Sequence, residues 1–183
     1  VELVNMTDIN VGCLHDYTLS TEDMKKMENA DIFIQNGLGM ESFIDKVVDS
    51  NSGLYIIDSS KDIPNLISNE NEINPHIWTS LDNYILQVKN ISKGLQNKDI
   101  ANSEIYKKNE EKYLEELEDV REKYFTQLKE LEGKKAIVLN EAFEYMGQEL
   151  KMNITTIKTD HEESTMSAEM MKRVIDKVND ENI

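Results

Sequence analysis

The sequence predicts an α/β fold: two lobes with parallel sheets, joined by one long backbone helix. Three observations carry this expectation. Short apolar runs bounded by turn residues alternate with segments of helical periodicity, the pattern of parallel strands and crossover helices. One amphipathic stripe runs unbroken from about Asn102 to Glu132. Alternating strand and helix patterns flank that stripe on both sides.

Ser20 precedes a helical segment and Asp23 lies three residues on, a weak form of the capping box. Met24 and Met27 give that helix an apolar side. Asp31-Ile-Phe-Ile-Gln-Asn-Gly37 reads as a short buried strand ending in a turn. Met40 to Val48 is expected to be helical, with Phe43, Ile44, Val47 and Val48 at helical spacing, and Leu54 to Asp58 is the next strand. Asp62 to Glu72 is polar, contains Pro64 and reads as irregular. Ser80 caps a helix to about Leu95, with Ile85, Val88 and Ile91 inward.

The stripe that follows places Tyr106, Tyr113, Leu114, Leu117, Val120, Tyr124, Leu128 and Leu131 on one side. A helix of that length extends roughly 45 Å at 1.5 Å per residue. A coiled coil is the competing reading, but a helix spanning two lobes suits the flanking patterns better. Beyond Gly133, Ala136 to Leu139 and Ile154 to Ile157 read as strands, and Glu141 to Leu150 and Ser167 to Val178 as helices. The resulting division is a first lobe over 1–101, a linking helix over 102–132 and the start of a second lobe over 133–183. Two strands and two helices make a thin lobe, so the chain is expected to be truncated. It begins at Val1 without a methionine, which reads as a mature or trimmed product.

The formal charge of −16 argues against nucleic acid, because phosphate binding needs a basic footprint. It is compatible with cationic ligands and equally with plain surface solubility. A single cysteine, Cys13, excludes an intrachain disulfide framework and leaves the compartment open. No run of ~18 apolar residues is present to span a bilayer.

Histidine is scarce, with three in the chain, so the setting of each is informative. His15 lies in Gly12-Cys-Leu-His-Asp-Tyr17. His76 lies in Asn74-Pro-His-Ile-Trp78, beside the only tryptophan. Neutral imidazole is a favoured ligand of zinc and other borderline metals. His161, in Asp160-His-Glu-Glu-Ser164, could bind metal or shuttle protons, or simply sit in a solvated loop. Asn140 and Glu141 follow directly on the Ala136 to Leu139 strand, where α/β folds carry ligands. Asn36-Gly-Leu-Gly39 lacks the spacing of a phosphate loop, and no nucleophile elbow or His-Glu-x-x-His helix is present.

Three segments in this order go further: His15-Asp-Tyr17 with Leu19-Ser-Thr-Glu-Asp-Met-Lys-Lys26, Ala30-Asp31 through Asn36-Gly-Leu-Gly-Met-Glu41, and Asn74-Pro-His-Ile-Trp78. With Glu141-Ala-Phe-Glu-Tyr145 after the long helix, they resemble the zinc/manganese solute-binding proteins of bacterial ABC transporters, the ZnuA/TroA-like group, over nearly the whole chain. The resemblance implies a two-lobed α/β fold with the metal held in the cleft between lobes. It implies ligands at His15 and His76. The family's third ligand, a histidine or glutamate, falls on Asn140, whose neutral amide oxygen is a weaker and harder donor. Asn140 would then coordinate weakly, hold a water, or yield to Glu141. The fourth ligand, an acidic residue, would lie beyond Ile183. The family's first strand and helix also have no counterpart before Val1.

The implied function is an extracytoplasmic receptor, on the cell surface as a lipoprotein or in the periplasm. It would capture Zn2+, favoured over Mn2+ because imidazoles lead the ligand set, and hand it to an ABC permease. It would perform no chemistry, bind no nucleic acid and be monomeric when intact. Two alternatives stay open: a metal-free, degenerate adhesin-like interaction module, and a metal-dependent hydrolase, which would need an open coordination position and a general base.

Overall fold

The first helix, α1 (Thr21–Glu28), is fastened at its N-terminus by side chains. Ser20 Oγ accepts the Asp23 amide at 3.2 Å, and Asp23 Oδ2 accepts the Ser20 amide at 3.0 Å, completing a capping box. The hydroxyls of Ser20 and Tyr17 each donate to the same Asp23 oxygen at 2.6 Å. Lys26 Nζ lies 3.2 Å from the other carboxylate oxygen. These donors, the Ser20 hydroxyl first, hold the Asp23 carboxyl well below the usual carboxylate range.

The computed structural model describes residues 1–7, 17–44, 53–69, 72–157, 167–181 and 183. It comprises two compact units, Val1–Pro64 with Leu86–Glu111 and Asn65–Ile85 with Lys112–Ile183.

In the first unit, β1 (Ile32–Gln35) pairs in parallel with β2 (Tyr55–Asp58), Ile32 opposite Tyr55 and Gln35 opposite Asp58. Met27, Phe33 and Ile44 form the core beside them, with Met6, Leu19, Leu54 and Ile56 packed around it. The next helix, α2 (Leu81–Lys98), crosses the sheet closely. A Cβ at Gly94 would overlap the Ile57 side chain, so only glycine permits that approach. Polar groups of α2 tie down the carboxyl ends of both strands. Gln87 Nε2 donates to Asn36 Oδ1 at 2.9 Å and to Ser59 Oγ at 2.8 Å. Asn90 Nδ2 donates to the carbonyls of Ser59 and Lys61. Gly37, at φ +88°, turns the chain out of β1. The Glu41 carboxylate accepts the amides of Asn36 and Gly37 at 2.7 and 3.0 Å, and burial pushes its pKa up.

The helix expected over Met40 to Val48 differs: Ser42–Ile44 is a single 3-10 turn, and residues 45–52 lie outside the described set. The stretch read as irregular contains a small antiparallel hairpin, β3 (Ser68–Asn69) with β4 (Glu72–Ile73). The long helix, α3 (Ser103–Leu128), tightens into a 3-10 turn over Lys129–Leu131 before Gly133.

In the second unit β5 (Lys135–Val138) pairs in parallel with β6 (Asn153–Thr156), Lys135 opposite Asn153 and Val138 opposite Thr156. Between them the helical segment splits into a 3-10 turn, Glu141–Phe143, and α4 (Glu144–Glu149). A last helix, α5 (Ala168–Glu181), follows β6. The short α4 packs against β6 through Gly147, where a Cβ would overlap the Ile154 side chain. Among the described residues no helix is long and apolar enough to cross a membrane.

Two outcomes follow from this packing. Gly147→Ala gains up to about 1 kcal/mol of helix propensity, but overpacking at branched Ile154 costs about 1–3 kcal/mol. A net fall in Tm is therefore expected by circular dichroism; an unchanged Tm would mean that Ile154 moves aside freely. For Asp23, a depressed native pKa means that its stabilisation is fully present above the ordinary aspartate pKa of about 3.9. It is lost as the pH falls below that value. Urea midpoints measured from pH 7 to pH 2.5 should therefore drop more steeply for the native chain than for Asp23→Asn, and parallel curves would refute the role of this carboxylate.

Candidate metal centre

His76 is held by the turn that carries it. The hairpin β3–β4 leads into Asn74, whose backbone amide donates to the Ile67 carbonyl at 2.8 Å. Asn74 Oδ1 accepts the His76 backbone amide at 3.0 Å, an Asx-type turn across Pro75. The chain then enters a 3-10 turn, Ile77–Thr79. Ile77 is fully buried and anchors the turn, while Trp78 is exposed and its ring lies 5.2 Å from the His76 imidazole. The Thr79 hydroxyl donates to the His76 carbonyl at 2.9 Å.

The start of α2 is secured in the same unit. Ser80 Oγ accepts the Asn83 amide at 3.2 Å as an N-cap. The Glu149 carboxylate accepts the amides of Leu81 and Asp82 at 2.6 and 3.2 Å, a negative charge on a helix N-terminus. Arg121 reaches Asp82 at 2.6 Å and Glu149 at 3.8 Å, balancing that charge.

The imidazole is half of a wider polar junction. His76 Nδ1 lies 2.9 Å from Asn74 Oδ1 and 3.8 Å from Glu141 Oε1. Asn74 Nδ2 donates to the Glu141 carbonyl and to Glu144 Oε2, each at 2.9 Å. The other Glu144 oxygen accepts the Thr156 hydroxyl at 2.5 Å. Tyr145, 1% exposed, donates its hydroxyl to the Asn74 carbonyl at 2.7 Å and accepts the Ile67 amide at 3.0 Å. Burial raises the Tyr145 pKa, which keeps the hydroxyl a neutral donor. The segment 67–76 is thereby fastened to the turn after β5 and to the end of β6.

Of the residues singled out in the sequence, His76 and Glu141 are brought together. Asn140 stands at the start of the 3-10 turn with its amide oxygen accepting the Ala142 amide at 2.8 Å, as an N-cap. His15, Cys13 and His161 lie outside the described residues. Among the described residues no three His, Cys, Asp or Glu side chains form a group that could hold a metal. The donor set at hand, an imidazole with a carboxylate nearby, matches the chemistry of a borderline divalent ion. Asn74, Glu144 and Thr156 had no assigned role in the sequence; the one signal for Asn74 is an amide directly before Pro-His, where it can close a turn onto the histidine.

The second unit thus carries, beside its small parallel sheet, an imidazole oriented by buried protein groups. The chain belongs to the zinc-uptake complex component A (ZnuA) family, whose model matches residues 1–183. It is 30% identical over 167 residues to the manganese-binding lipoprotein MntA of Halalkalibacterium halodurans, covering 88% of this chain and 55% of that protein. It is 27% identical over 177 residues to the high-affinity zinc uptake system protein ZnuA of Bacillus subtilis, covering 86% of this chain and 57% of that protein. A crystal structure of ZnuA superposes with a TM-score of 0.80 at 26% identity, covering 92% of this chain and 66% of that one. The chain thus spans 55–57% of the length of these two curated relatives. The family has zinc and manganese members.

The Tyr145 hydroxyl satisfies two backbone groups of the histidine-bearing segment. Tyr145→Phe leaves both without that partner and should cost about 1–3 kcal/mol, read as a lower urea midpoint with unchanged far-ultraviolet circular dichroism. A midpoint equal to that of the native chain would remove Tyr145 as a fastening of this segment.

Proposed function

We propose that this chain is part of a receptor outside the cytoplasmic membrane that captures a divalent transition metal and passes it to the permease of an ABC importer. The observation that carries the proposal is the setting of His76: a buried imidazole whose Nδ1 meets Asn74 Oδ1 at 2.9 Å, in a chain of this family. Metal-ligating histidines characteristically give their second ring nitrogen to a carbonyl or carboxylate in this way. The names of the relatives add support, since they are manganese-binding lipoproteins and zinc uptake proteins.

In this reading His15 and His76 are metal ligands, and the Asn140 side of the turn supplies an oxygen, either from the Asn140 amide or from Glu141. Zn2+ is favoured over Mn2+ because imidazole nitrogen suits zinc better than the harder ion. The receptor is a monomer when intact, and it is held at the cell surface as a lipoprotein or moves in the periplasm. The division of the chain at 101 and 132, with residues 102–132 linking two lobes, belongs to the same proposal. Binding exchanges the hydration shell of the ion for protein donors and involves no bond chemistry.

Trp78 is the only tryptophan and its ring lies 5.2 Å from the His76 imidazole, so its fluorescence reports on that side chain. In the full-length protein, His76→Ala should weaken zinc binding about 100-fold, roughly 2.8 kcal/mol, by calorimetry and by Trp78 fluorescence. Unchanged affinity would remove His76 from the site. Metal analysis of the purified native protein decides the metal, and a protein with no stoichiometric zinc or manganese would favour the metal-free module instead.

A further inference from the structure

Asn74 is 2% exposed, and both ends of its side-chain amide are spoken for before the imidazole is considered. Its Nδ2 lies 2.9 Å from the Glu141 carbonyl and 2.9 Å from Glu144 Oε2. Both are acceptors, so this end must be the NH2 group. Its Oδ1 accepts the His76 backbone amide at 3.0 Å, which fixes the other end as oxygen. Reversing the amide would set an oxygen against two acceptors and an NH2 against an N–H. Thr156 completes the chain by donating its hydroxyl to the second Glu144 oxygen, so Glu144 keeps its first oxygen turned to Asn74.

The imidazole has to match this polarity. Its Nδ1 lies 2.9 Å from Asn74 Oδ1, an atom with no hydrogen to give. Glu141 Oε1, 3.8 Å from the same nitrogen, is also an acceptor. A neutral imidazole therefore carries its proton on Nδ1 and its lone pair on Nε2. We infer that Asn74, held by Glu144 and Thr156, is the positioning residue that sets His76 in the Nδ1–H tautomer and so dedicates Nε2 to the metal. This deepens the receptor reading and rests on it for the metal; the tautomer itself stands or falls without metal.

The first measurement uses the metal-free, full-length native protein, above the pH at which histidine is protonated. Long-range 1H–15N correlation spectra of the imidazoles, with His76 assigned from its absence in His76→Ala, report the tautomer directly. A single Nδ1–H pattern for His76 is expected; an Nε2–H pattern overturns the inference. Asn74→Leu should then give a mixed tautomer and a 10–100-fold loss of zinc affinity. Retention of both tautomer and affinity overturns it equally. A purely structural role for Asn74 would change stability without moving the imidazole pattern.

Asn74→Asp removes the donor to Glu144 while keeping an acceptor for His76, and sets two carboxylates against each other; zinc affinity should fall. Glu144→Gln added to it restores a donor across that contact and still offers an oxygen to Thr156. The double variant should regain part of the affinity lost in Asn74→Asp, the Glu141 carbonyl still facing an oxygen. A double variant that is folded but no better than Asn74→Asp overturns the chain of command through Glu144. If His76→Ala leaves zinc affinity unchanged while the native tautomer is Nδ1–H, the receptor reading fails and the tautomer assignment survives.

Discussion

Burial of the Asn74 amide is the constraint on which the histidine-bearing unit depends. An unpaired amide in an apolar interior costs several kcal/mol, and a half-satisfied polar network is worse than none. Here the backbone amide goes to Ile67, the carbonyl takes the Tyr145 hydroxyl, Oδ1 meets His76, and Nδ2 reaches Glu141 and Glu144. Those partners come from Ile67 before β3, from His76 in the same turn, and from the turn after β5 where it runs into α4. Satisfying one residue therefore requires two distant stretches of chain, 67–76 and 141–145, to meet in one register.

The same logic organises the neighbouring helix start. Glu149, on the far end of α4, accepts the first amides of α2, so the exit from the His76 turn and the position of α4 are coupled. Arg121 from the long helix bridges Asp82 and Glu149. At the other end of α4 contact, Gly147 lets the helix lie against Ile154 of β6. The turn carrying the imidazole is thus braced by Thr156 of β6, by α4 and by Arg121 of the long helix, which holds a loop residue in one place.

Much of the secondary structure was legible. Ser20 and Asp23 form the capping box that their spacing announces, and the apolar runs at Ile32–Gln35 and Tyr55–Asp58 are parallel partners. The long helix ends at Leu128 and tightens to 3-10 through Leu131, close to the expected Glu132. The misses are short elements. Two-residue strands at Ser68–Asn69 and Glu72–Ile73 have no periodicity to detect. Residues 141–143 form a 3-10 turn because Asn140 caps the Ala142 amide, an outcome set by one side-chain hydrogen bond. Of the helix expected over Met40 to Val48, Ser42–Ile44 is a 3-10 turn and residues 45–48 lie outside the described set.

The sequence by itself determined the fold class, the family and the identity of His76 as the residue to watch, because periodicity, turn residues and motif order are local properties of the chain. It could name Asn140 and Glu141 as neighbours in sequence but not say which would approach the imidazole. Only the tertiary structure decided that Glu141 stands 3.8 Å from His76 Nδ1 while the Asn140 amide oxygen is turned to its own backbone. It also decided the polarity of Asn74. The reason is physical: which way an amide points, and which imidazole nitrogen holds the proton, depends on acceptors delivered from residues 67 to 70 positions away, and no local pattern encodes that direction.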